Sequence, residues 1–156
     1  PETIVIPVQK MGALLAFTVE KELYDYLTDT FPGAVISHEV NPLIQNLTSG
    51  VTPVLNFHLH SSWFVAIATG DNGVDFLNTY EYSNEADMMY FMLSVMKLPG
   101  LTSLPVSISG RIGSNDSLFN CLKKYIPQAG IANYAGTRLT APENIPFHWL
   151  PGIILL

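Results

Sequence analysis

Two histidines set two residues apart, His58 and His60, are the chain's plainest offer of chemistry. They end a strand-like run over 53–60, and side chains in a strand alternate, so both imidazoles share one face. Two nitrogens at that spacing can serve zinc or iron, with His38 on a neighbouring strand, or Glu39, as a third ligand. The competing reading is that the imidazoles line a partly solvated sheet end, because a lone His-x-His without an acid motif is a weak signal. Ser61 and Ser62 follow directly, but no base stands at a spacing that would make either a nucleophile. Glu85 and Asp87 could form an acid–base pair; they fall in the first turn of a predicted helix, where acids are favoured whatever the function. No convincing catalytic set emerges.

The elements that must position these residues come in two rhythms. Over the first fifty residues the pattern is strand (12–19), helix (20–31), strand (34–40) and a short helix opened by Asn41-Pro42 and ended near Ser49-Gly50. The first strand reads as buried on both faces, and the alternation favours parallel pairing. Three strand-like runs then follow at 53–60, 62–69 and 73–82, joined by very short turns. Asn72-Gly73 is a strong hairpin signal. Ser83 can cap a helix over 84–97, followed by a strand at 105–109, a helix at 116–126 and a short strand at 130–134. From Pro142 the chain is irregular and apolar.

The helix at 84–97 has almost no polar face in its second half: Met88, Met89, Phe91, Met92, Leu93, Val95 and Met96. Such a helix is buried on all sides, either within its own domain or against a partner. Methionine suits adaptable binding surfaces, so Met88 and Met92 are candidate contacts to an upstream half or to another subunit.

The chain has 156 residues, 48% apolar and 13% charged, with a net charge of −6. That length supports one compact domain or two small subdomains sharing a sheet system. Charge at about half the usual ~25% implies extensive burial or apolar surface that meets a partner. Seven scattered basic residues exclude a phosphate-backbone partner, so no nucleic acid is expected. No apolar run is long enough to span a bilayer and no signal peptide is visible, which gives no membrane insertion and a cytoplasmic default. The single Cys121 precludes an internal disulfide and reads as a small buried hydrophobe in a helix. The abrupt start at Pro1 suggests that an upstream part is missing.

Three meandering strands, then helix, strand, helix, strand, resembles the ribonuclease H-like order found in each half of actin-like ATPases. The run Ala13-Leu14-Leu15-Ala16-Phe17 with its helix, then Val35 to Leu43, looks like the middle of actin-like type IV pilus assembly proteins. The chain is also similar to a family of Bacteroidetes proteins known as a domain of unknown function. The matching residues are Tyr80-Glu81-Tyr82, Asp87, Tyr90-Phe91 and Ser109-Gly110.

The resemblance implies an α/β, actin-like fold with a mixed sheet, a three-stranded antiparallel meander and flanking helices. Residues 1–50 would end a first actin-like half and 51–156 would form the second, with an irregular apolar tail. Active members of that fold carry Asp-x-Gly and then a hydroxyl residue between the first two strands, for metal, attacking water and phosphate. Aligned on the Asp71-Asn72-Gly73 turn, His58 stands at the acid position and His60 at the glycine; Trp63 and Phe64 fall near the hydroxyls. Ser61 and Ser62 alone keep phosphate-binding capacity, and Gly110, followed by Arg111, stands where a Gly-Gly pair would meet adenosine. Magnesium prefers oxygen ligands, so the ATPase chemistry is expected to be absent. The reading is a non-catalytic scaffold or protein-interaction domain without a cofactor, with homo-oligomerisation open. The alternatives are an actin-like protein that binds ATP and Mg²⁺ with little hydrolysis, and a metal-dependent enzyme using His58 and His60.

Overall fold

A computed structural model describes residues 1–8, 13–48 and 52–132 of the chain. Two strands, β1 (Glu2–Val8) and β2 (Ala13–Val19), form an antiparallel hairpin. Helices α1 (Lys21–Thr30) and α2 (Val40–Thr48) follow. The meander is β3 (Val54–Leu59), β4 (Trp63–Gly70) and β5 (Gly73–Glu81). Then come α3 (Glu85–Met96), β6 (Val106–Gly110), α4 (Ser117–Tyr125) and β7 (Gly130–Ile131).

The second sheet has the order β5-β4-β3-β6-β7, with β3 antiparallel to β4 but parallel to β6. Period-two alternation sends Leu55, Phe57 and Leu59 of β3, with Phe64, Ala66 and Ala68 of β4, toward α3 and α4. Val65 and Ile67 point the other way, onto Val40, Leu43, Ile44 and Leu47 of α2 and Val8 of β1. The central strands are thus buried on both faces, which is why they read as unbroken apolar runs.

The meander, α3, β6 and α4 lie where the residues place them, with two local differences. Asn84, not Ser83, caps α3: its side-chain oxygen accepts the Asp87 N–H at 3.0 Å, and Asp87 reaches back to the Ser83 N–H at 3.3 Å. The β4–β5 hairpin pairs Gly70 with Gly73, so its turn centres on Asp71 and Asn72.

The first fifty residues depart further. The stretch 34–40 forms no strand; Val35 is 77% exposed, and the backbone pairs with no strand among the described residues. With no second strand to return beside the first, the expected parallel pair is replaced by the β1–β2 hairpin. There β2 is exposed along one face, Leu14 most of all, rather than buried on both. The positions Gly12, Ser49-Gly50, 133–134 and the tail from Pro142 lie outside the described residues.

Candidate functional site

The parallel strands β3 and β6 end together, at Leu59 and Gly110, and their exits bring the turn 60–62 beside the loop that starts at Arg111. The carboxyl ends of such strands are where α/β sheets hold ligands.

His58 is 6% exposed on the α2-side face of β3. Its Nδ1 lies 2.9 Å from Ser109 Oγ, and the Ser109 hydroxyl donates to Asn56 Oδ1 at 3.1 Å. Asn56 Nδ2 in turn donates to Ser107 Oγ at 2.7 Å. Because Ser109 gives its only proton to Asn56, it must accept from His58, which assigns the proton to Nδ1 and leaves Nε2 bare. Burial first, and the neighbouring His60 second, push the His58 pKa down to about 4, so the ring is neutral at pH 7. The four side chains form one polar ladder across two parallel strands, each buried group satisfied by the next.

His60 closes the turn. Its N–H donates to the Trp63 carbonyl at 2.9 Å, and its own carbonyl accepts the Tyr82 hydroxyl at 2.6 Å. Its ring stacks on the Trp63 indole, centroids 3.7 Å apart and planes 8° from parallel, and meets His58 edge-on at 5.0 Å. Burial, and then the Arg111 charge, lower its pKa, while burial raises the Tyr82 hydroxyl. His60 Nε2 lies 3.5 Å from Glu39 Oε2, but burial also raises the Glu39 carboxyl. A neutral imidazole makes this a polar contact rather than an ion pair at pH 7.

The expected site residues fare differently. His60 meets His58 on one side and Glu39 on the other, but His38 does not complete a metal set. It lies in the irregular segment before α2, where its Nδ1 accepts the Val40 N–H at 3.2 Å and caps the helix. Among the described residues no three His, Cys, Asp or Glu side chains converge as metal ligands do. Ser61 and Ser62 are exposed at the turn, with the Ser62 carbonyl accepting the Tyr82 N–H at 2.9 Å.

Gly110 has a structural duty. Its φ is +87°, and a Cβ there would stand 2.1 Å from the Leu59 carbonyl oxygen. That close approach lets the Arg111 N–H donate to the same oxygen at 2.8 Å. Met88 and Met92, expected as candidate contacts to a partner, are buried by this chain itself: they are 1% and 0% exposed, in one cluster with Leu55, Phe57 and Phe64 between α3 and the sheet. Cys121 is half-buried and unpaired on α4.

Several participants were not evident beforehand. Asn56, Ser107 and Ser109 were readable only as polar breaks at period two in apolar strands; their partnership with His58 needs the β3–β6 register. A groove of about 280 Å³ also opens beside the turn, lined by His38, Glu39, Trp63, Val65, Thr79 and Glu81.

The fold is similar to a crystal structure from Bacteroides thetaiotaomicron VPI-5482, described as a protein with an actin-like ATPase fold and unknown function. The TM-score is 0.66 at 23% identity, covering 84% of this chain and 54% of that one, so this chain spans about half the length of its structural relative. No curated protein matches it. The fold is therefore actin-like, as the strand order implied. The model of the family described as "Protein of unknown function (DUF3822)" matches residues 5–129, and the chain belongs to that family.

Proposed function

We propose that this chain is a non-catalytic actin-like module that acts by holding protein partners. The observation that carries the reading is the closed turn after β3. Where an ATPase of this fold needs a carboxylate for metal and open backbone N–H groups for phosphate, the turn offers two neutral imidazoles. One of them is stacked on Trp63 and pinned through its carbonyl by Tyr82. Gly110, the remaining candidate for nucleotide contact, is filled from below by the Leu59 backbone. In the same reading, residues 51–156 supply the second ribonuclease H-like half, and residues 1–50 end the first.

The test is a thermal shift with ATP and Mg²⁺. A site at one hundred times its Kd adds about 2.7 kcal/mol, which for a chain of this size raises Tm by about 5–10 °C. The expected result is no shift. A rise of that size, lost on replacing Ser61 and Ser62, would instead establish a nucleotide-binding protein.

A further inference from the structure

We propose that the outer edge of β5 accepts an extended, basic segment of a partner protein as an added strand, with one Lys or Arg side chain settling between Glu39 and Glu81. The inference rests on the scaffold reading and gives it a surface and a partner chemistry.

Among the described residues β5 ends the sheet, and its only pairing partner is β4. The Tyr82 N–H donates back to the Ser62 carbonyl, so Tyr82, Tyr80 and Asn78 turn their main-chain groups toward β4. Antiparallel alternation then turns the N–H and C=O groups of Leu77, Thr79 and Glu81 outward. The Thr79 N–H is held at 3.0 Å by the side chain of the exposed Asn78, a bond that an incoming carbonyl can replace. Leu77 is 42% exposed, and Thr79 and Glu81 are exposed as well. An unpaired edge of this kind, with neither Pro nor Lys to blunt it, is a template for another strand.

Side chains give the edge its selectivity. Thr79 and Glu81 stand opposite Val65 and Trp63 in register, on the face where the groove with His38 and Glu39 opens. A docked strand sends every second side chain over that groove. Among the described residues no Lys or Arg pairs with Glu39 or Glu81, and the half-buried Glu39 carboxyl lies 3.5 Å from the ring of a neutral histidine. A basic side chain is the complement this arrangement lacks. A second copy of the chain fits less well. The register shift near Thr69 leaves 77–81 as the regular edge, and two such edges paired about Thr79 would set each Leu77 against the other's Glu81.

The test is fluorescence anisotropy of the 156-residue chain with a labelled seven-residue peptide of alternating lysine and valine. Three comparisons accompany it: glutamate in place of lysine, N-methylation of alternate backbone amides, and the protein variants Thr79→Pro and Glu39→Gln/Glu81→Gln. Proline at 79 removes an outward N–H and leaves the β4 ladder whole. The N-methylated peptide needs no variant at all. Saturable binding is expected, weakened about tenfold or more by N-methylation, by Thr79→Pro and by the glutamate peptide, and about fivefold by the double Gln variant. Equal binding of the N-methylated peptide, or no saturation by about 1 mM, overturns the proposal. So does a dimer in sedimentation that Thr79→Pro dissolves, since a second copy would then own the edge. Failure of the peptide with a flat ATP response removes this inference alone, whereas an ATP-induced shift removes the scaffold reading whatever the peptide does.

Discussion

Acid should destabilise this protein through His58 in a window that its burial defines. The folded pKa is about 4 against an ordinary 6.5, so the unfolded chain takes up the proton first as pH falls. The sign follows: the contribution is complete above pH 6.5 and is lost as pH drops toward 4. Integrating the two titrations, the cost is about 2 kcal/mol at pH 5 and about 3 kcal/mol at pH 4, a large part of the ~5–15 kcal/mol that holds a domain of this kind. His60, lowered in the same direction, adds to the total, so the variant His58→Gln is the control that isolates one ring. Glutamine keeps a donor for Ser109 and cannot titrate. Urea unfolding at pH 7, 6, 5 and 4.5 gives the stability difference between wild type and variant, which should shrink by about 1 kcal/mol per pH unit below 6. An independent reading is the imidazole C–H shift by NMR, titrating near 4. A pH-independent difference, or a His58 titration near 6.5, would refute the buried neutral ladder.

The remaining predictions concern groups whose roles the structure reassigned. Gly110→Ala should cost at least about 3 kcal/mol in urea unfolding, because the left-handed φ and the overlap with the Leu59 carbonyl add together; a loss under about 1 kcal/mol would show that β6 does not approach β3 so closely. Met92→Lys should abolish the cooperative unfolding transition, since a fully buried ammonium without a partner costs as much as the whole stability. A soluble, folded Met92→Lys monomer would return α3 to the role of an interface.

The meander was legible because each of its signals is local. Three apolar runs, two tight turns and a capped helix over Glu85–Met96 follow from residues within reach of one another. The stretch 34–40 misled for the converse reason: Val35-Ile36 has strand composition, but a strand exists only where another strand's backbone meets it, and none does among the described residues. Composition also could not decide what covers Met88 and Met92. A helix apolar on every side signals that all its faces are buried, without saying by what. Of the candidate site, the neighbourhood of His58 and His60 was readable from period two. The identity of their partners was not, because Ser109 arrives from β6, 51 residues further on, and Tyr82 from just beyond β5, 22 residues further on.

The turn after β3 shows how the core of this fold is kept apart from the strand ends where α/β sheets hold ligands. The β3–β4 pairing and the parallel β3–β6 contact depend on Leu55, Phe57, Leu59, Phe64 and Ile108, none of which a phosphate would touch. The groups a nucleotide requires sit only at the strand ends, so they can change without disturbing the core. Here the groups at the turn support one another. With His60 at the turn, Trp63 supplies a ring to stack on it, Tyr82 supplies a hydroxyl to hold its carbonyl, and Ser109 accepts the proton of His58. Polar groups left unsatisfied at a buried strand end cost about 1–3 kcal/mol each. The turn here meets that demand for the His58 ring and the His60 backbone but not for His60 Nε2, which is buried without a hydrogen-bond partner 3.5 Å from Glu39.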